Sequence, residues 1–337
     1  MDSKNIKINY KEFDFLKGIA IILVILGHSF SFTGFDLLDK EKYFGCYYTF
    51  NTIYSFHMPL FFIVAGFFSN KKYEIKSFYI SKIKRLLIPY IFINIVDCIP
   101  RHLFSNFVNN SSNSLIRIIF YSGVATWFIY TLFMIFLIYP FLEKRVFKKD
   151  KCYLFLIFLI ITNILNFSVL NVNIFTLNKI IFYLMYFYSG YILKNYYVKL
   201  KENKIFNNVY LIIILAIFFI LFGYKYSENK LSEVFYPFIG FFLTLKLSIF
   251  LARYNNFKFL IFCGKNSLIF YLLEPFFAVI YRVVLIKIID LKYYYLIVIL
   301  FFVLKLISVC MSVFIINKVK ILSFLFGNKI VEKGQVL

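Results

Sequence analysis

Charge is what this sequence has least of. Asp, Glu, Lys and Arg make up 16% of its 337 residues, against about a quarter in soluble domains. That deficit argues against a soluble globular chain. Trp occurs once and Pro six times, while Ile, Phe, Tyr, Lys and Asn are heavily used, a bias we attribute to an AT-rich bacterial genome rather than to function. The five cysteines (Cys46, Cys98, Cys152, Cys263 and Cys310) lie far apart with no C-x-x-C pair. Neither a disulfide framework nor a zinc site has its pattern here, and no metal is expected. The alternation of a β-barrel strand is missing as well. The first apolar block follows a polar, basic start but lacks a small-residue cleavage site, so it is expected to stay in place as a helix.

What is present is apolar and comes in blocks. Hydrophobic residues are 62% of the chain, and they cluster in runs of about twenty, the length that crosses roughly 30 Å of hydrocarbon as a helix. Lipid offers backbone groups no partners, so an all-α, polytopic membrane bundle is expected. Ten spans are predicted, at 14–33, 50–69, 86–104, 121–142, 152–170, 176–193, 206–224, 235–253, 266–287 and 291–316. Most of the 38 basic residues fall in alternate connections, among them Lys71, Lys72, Lys82, Lys84, Arg85, Lys144, Arg145, Lys148, Lys149, Lys199, Lys201, Lys258 and Lys265. The positive-inside rule then puts both termini in the cytoplasm of a multi-pass protein of the bacterial cell membrane. The net charge of +22 is mainly this topology signal, with some attraction to anionic lipid, and nucleic acid is not an expected partner. The polar stretch 105–120 is expected outside, and 70–85 reads as an interfacial helix leading into the third span. No transporter-like internal repeat is seen. Residues 1–337 are expected to form one transmembrane domain without a separate soluble one. Assembly as a homo-oligomer stays open.

Ionisable residues inside a membrane are rare and are functional candidates by default. In the first span Lys17 and His28 stand eleven residues apart. At about 100° per residue that is three turns plus roughly 20°, so they share a face. Asp14 is one turn from Lys17 and can pair with it. Here a snorkelling Lys17 and a packing His28 weigh about as much as a functional pair. In the second span, His57 sits at a depth similar to that of His28, beside Pro59 and Gly66. Two histidines at one depth could line one pocket, and one could serve as a general base near neutral pH. His102 reads as structural. Asp97 can pair with Arg101, and Glu274 with Lys305, both of the latter near mid-bilayer; Lys246 is also expected mid-membrane.

Five stretches carry a resemblance: FDFLKGIAIILVILGH, FHMPLFFIVAGFF, KIKRLLIPY, TWFIYTLF and GKNSLIFYLLEPFF. In their order and spacing, over about residues 10–280, the chain resembles the membrane-bound acyltransferase 3 family. It is most similar to the compact fucose 4-O-acetylase-like branch that modifies surface polysaccharides and lacks a soluble hydrolase domain. The resemblance implies transfer of an acyl group, usually acetyl from acetyl-CoA, to a hydroxyl of a surface or lipid-linked glycan. The family's basic residue and histidine of the first helix map onto Lys17 and His28. Many members carry Arg at the first of these; Lys keeps the charge but not the bidentate phosphate contact. The basic motif before the third span maps onto Arg85 and Pro89, and the small-Gly pair onto Ala65 and Gly66. Many relatives carry His where this chain has Glu274, which can still accept a proton or bond a sugar hydroxyl.

The expected enzyme is therefore an O-acetyltransferase. Lys17, Arg85 and Lys84 would meet the phosphates of acyl-CoA. His28, His57 and Glu274 would carry the catalysis, with His28 as general base or acyl carrier. Asp14, Trp127, Ser267 and Lys305 would contact substrate, Trp127 by stacking on a sugar. The rival expectation is an exporter or flippase of a polysaccharide or lipid-linked glycan, which needs neither the His28 constellation nor an acyl donor.

Overall fold

The computed structural model describes residues 10–30, 43–69, 74–103, 126–147, 152–165, 177–254 and 256–328. Every regular element among them is helical. Each of the ten apolar blocks contains helix among its described residues. Seven helical stretches are long and apolar enough to cross a membrane: Lys11–Phe30, Phe44–Phe67, Trp127–Val146, Val209–Glu228, Lys230–Leu251, Ser267–Leu285 and Tyr294–Lys318. The other three blocks hold a helix of 16 residues, Ile88–Leu103, one of 13, Cys152–Ile164, and one of 26, Leu177–Glu202, that carries several lysines. The 105–120 connection and the side chains of Asp97, Arg101 and His102 lie outside the described part.

Helix α1 (Lys11–Phe30) is the axis of the bundle. Phe13, Phe15, Leu16, Ala20, Ile21 and Ile25 are wholly buried along it. It touches α2 (Phe44–Tyr54), α3 (His57–Phe67), α10 (Lys230–Leu251), α11 (Lys258–Lys265), α12 (Ser267–Ile288) and α13 (Tyr294–Lys318). Around these stand α4 (Ile75–Lys82), α5 (Ile88–Leu103), α6 (Trp127–Leu142), α7 (Cys152–Ile164), α8 (Leu177–Glu202) and α9 (Val209–Phe222), with a short α14 (Lys320–Leu325) at the end. On α9, Ile213, Ile214, Ile217 and Leu221 are exposed. In a bilayer such a surface meets acyl chains as apolar as itself.

The second span is longer than its apolar block and is broken. Helix runs from Phe44 to Phe67 with an interruption at Ser55 and Phe56. Pro59 lies four residues after Ser55 and has no N–H to give to the Ser55 carbonyl, so the ladder fails there. Between α4 and α5 the turn Ile83–Leu87 is π-helical, an insertion that rotates everything beyond it relative to an unbroken helix. Lys246, expected mid-membrane, reaches from α10 to the connection before α9. Its ammonium donates to Asn207 Oδ1 at 2.7 Å and covers the Phe206 ring at 3.4 Å, both in the connection before α9.

Two reciprocal glycine contacts set the closest helix pairs. A Cβ on Gly66 would stand 1.8 Å from the Phe187 carbonyl oxygen, and one on Gly190 1.9 Å from that of Ile63. Gly18 and Gly264 do the same for α1 and α11, at 2.1 Å from Leu260 O and 1.8 Å from Asp14 O. Small residues of this kind let backbones approach where lipid supplies no hydrophobic drive. Gly190→Ala is expected to cost about 3 kcal/mol or more, because the obstacle is backbone and cannot rotate away. Thermal unfolding in mild detergent would register this as a lower midpoint; an unchanged midpoint would mean that α3 and α8 are free to part.

At the start of α1 the termini of two helices are tied. Glu12 is buried, and its Oε1 accepts from Tyr197 Oη at 2.7 Å and from Lys201 Nζ at 3.0 Å. Lys194 Nζ donates to Tyr10 Oη at 2.5 Å.

Candidate active site

Two cavities lie at opposite ends of α1. The larger, about 1090 Å³, surrounds its N-terminal end. Lys17, Lys82, Arg85 and Lys265 give it four cations, and Asp14 one carboxylate, bonded to Lys17 at 2.8 Å. Ser69, Ser81 and Ser267 add hydroxyls to the wall, and Gly327 and Asn328 close it from the C-terminal side. The packing of Gly18 on Gly264 is what brings Lys265 beside Lys17. Lys82 and Arg85, three residues apart and so on one helix face, line the cavity, while Lys84 is exposed and does not. Lys82 Nζ also stacks on the Phe136 ring at 3.6 Å.

The smaller cavity, about 230 Å³, adjoins the C-terminal half of α1. His28 and His57 both line it, with Tyr54, Trp127, Tyr183, Tyr226 and Glu233. The imidazoles are held differently. His28 Nδ1 lies 2.7 Å from Glu274 Oε2. A carboxylate only accepts, so Nδ1 carries a proton, and in the neutral ring Nε2 then holds the lone pair. His57 Nδ1 lies 2.8 Å from the Ile53 carbonyl oxygen, in the chain break before Pro59, and by the same reasoning donates to it. The Tyr54 ring packs edge-on to His57, centroids 4.7 Å apart, and lies 6.0 Å from His28.

Behind His28 is a buried ion pair. Lys305 Nζ donates to Glu274 Oε1 at 2.6 Å and to the Ile25 carbonyl at 3.2 Å. Lys305 is fully buried and Glu274 nearly so. Neither lines either of these two cavities; both stand behind the imidazole of His28. The ammonium balances the carboxylate, which makes the pair tolerable in an apolar interior. Trp127 lines the smaller cavity, but Lys179 Nζ sits over its ring at 4.8 Å and Tyr183 packs 5.2 Å away. The ring thus already has partners within the protein.

Of the residues singled out in the sequence, Asp14, Lys17, Arg85 and Ser267 meet in the large cavity, and His28, His57 and Trp127 in the small one. Sequence reasoning missed Lys265, Asn328, Glu233 and Tyr271. Tyr271, one turn before Glu274, lines both cavities.

A cation-lined chamber and an imidazole oriented by a carboxylate suit transfer of a group from an anionic donor. The acyltransferase-domain family of membrane proteins matches residues 10–317. The chain belongs to the acyltransferase 3 family. Shorter similarities join this chain to nodulation protein NolL of Mesorhizobium japonicum, 38% identical over 87 residues that cover 24% of this chain and 22% of NolL. The NolL of Sinorhizobium fredii is 39% identical over 83 residues, again 24% and 22% of the two chains. The matched part spans about a fifth of the length of these curated relatives. No solved structure matches the chain significantly.

Proposed function

We propose that this membrane acyltransferase moves an acetyl group from acetyl-CoA to a hydroxyl of a cell-surface or lipid-linked glycan, in the bacterial cytoplasmic membrane. The observation that carries this reading is the pair of cavities at opposite ends of α1, one cationic and one lined by histidines, both bounded by Tyr271. Phosphates of the donor would meet Lys17, Lys82, Arg85 and Lys265 through charge-assisted contacts. Lys84, being turned away, has no part in that set.

His28 is the general base in this scheme. Its Nε2 takes the proton of the acceptor hydroxyl as that oxygen attacks the thioester carbonyl. The C–S bond breaks, and the departing thiolate receives the proton from the imidazolium. Glu274 keeps Nδ1 protonated and steadies the charge that forms on the ring, the role of the carboxylate in a hydrolytic triad. Lys305 holds Glu274. His57 and Glu233 are placed to receive hydroxyls of the acceptor.

Arg85→Gln is expected to raise KM for acetyl-CoA about tenfold with kcat little changed, since one charge-assisted contact contributes about 1.5 kcal/mol or more. Steady-state kinetics at varied acetyl-CoA would show it; an unchanged KM would remove the phosphate assignment. The function itself is tested by giving the purified protein radiolabelled acetyl-CoA and a glycan-lipid extract. Label in an alkali-labile glycan ester is expected, and label confined to CoA contradicts the reading.

A further inference from the structure

Tyr271 stands at the one boundary the two cavities share. It lies on α12, between Ser267 of the cationic chamber and Glu274 behind His28, one turn short of the latter. Its ring is buried and packs edge-on against Phe128, centroids 5.3 Å apart. Its hydroxyl oxygen accepts from the Phe128 backbone N–H at 3.3 Å. That N–H belongs to the first turn of α6 and has no partner within the helix. The ring is therefore fixed at both ends, by packing and by a bond to a rigid helix start.

Space beyond the ring is small. The histidine-side cavity of about 230 Å³ falls below the usual range of ligand pockets, about 300–1,000 Å³. It must hold the acceptor hydroxyl and whatever sugar carries it, in addition to the acyl chain. Its walls include Met58, Pro59 and Tyr183. The chamber on the other side is several times larger and sets no such limit.

We propose that Tyr271 fixes the length of the acyl group transferred: it admits acetyl and rejects butyryl and longer chains. The inference rests on the reading that acyl-CoA is the donor, and it assigns a specificity-determining residue within that reading. Discrimination of one or two methylenes by a filled apolar pocket is worth about 10- to 200-fold. Removing the ring joins the chambers and gives longer chains room beside His28.

The test uses the full-length acyltransferase in lipid discs, with acetyl-, propionyl- and butyryl-CoA as donors, a glycan-lipid extract as acceptor, and release of the CoA thiol as readout. Tyr271→Ala is expected to raise the ratio of butyryl to acetyl turnover about tenfold or more. Tyr271→Phe, which keeps the ring and loses the hydroxyl that accepts from Phe128, is expected to hold the wild-type ratio within about twofold. Tyr271→Leu serves in place of the alanine variant if that one fails to fold, with the same expected direction. An unchanged ratio in the folded truncation variant overturns the proposal, as does wild-type protein that uses butyryl-CoA as fast as acetyl-CoA. Wild-type protein that consumes none of the donors brings down the donor reading and this inference with it. Acetyl turnover with an unchanged ratio removes the role of Tyr271 alone.

Discussion

His28→Ala is expected to lower acetyl transfer about a thousandfold while the protein still inserts and folds, in line with the 10²- to 10⁴-fold contribution of a general base. The two halves of this expectation have separate grounds. Activity falls because, in the proposed scheme, Nε2 of His28 is the acceptor for the hydroxyl proton. Folding survives because Glu274 keeps its 2.6 Å bond to Lys305 when the imidazole is gone. His28→Gln separates the base from the structural contact, since its amide can still donate to Glu274 but cannot take a proton. Both variants should be inactive and both should elute as the wild type does in detergent. Activity in the glutamine variant would reduce His28 to a packing residue.

Lys305→Met is expected to have the largest effect on stability, about 3–5 kcal/mol, the usual cost of leaving one partner of a buried pair uncompensated. Glu274 is almost inaccessible and would keep only His28 as a donor. The double variant Lys305→Met with Glu274→Leu removes both charges and is expected to recover most of the loss, because well-packed apolar side chains often replace a buried pair without penalty. It should remain poorly active, since nothing then fixes the tautomer of His28. Unfolding midpoints in detergent and transfer rates, measured on all three variants, give the coupling directly. A single variant as stable as wild type would mean that water reaches the pair.

The helices were legible in the sequence because lipid-spanning blocks must be long and apolar. Their detail was not. The break at Ser55 follows from Pro59, but its consequence, a carbonyl at Ile53 turned to the imidazole of His57, depends on the three-dimensional course of the chain. The first-helix spacing put Lys17 and His28 on one face, and the structure gives each a cavity of its own. The Glu274–Lys305 pair was readable as two opposite charges at one depth on neighbouring helices. Lys82 and Lys84 fall on opposite sides of a helix at its ordinary period, but no local pattern says which of the two sides faces the cavity. Tyr271 was one of 28 tyrosines, and its only sequence signal is its place one turn before Glu274. Lys265 needed the glycine contact of α11 with α1, which no local pattern announces.

The central claim is that the donor enters at the Lys17–Arg85 end and the acyl group leaves at the His28 end. Sealed vesicles of known orientation test it, because acetyl-CoA does not cross a bilayer. Label supplied only on the face that carries the Lys17–Arg85 end should appear in glycan ester on the opposite side. Equal labelling from either face, or labelling only from the His28 face, would contradict the account.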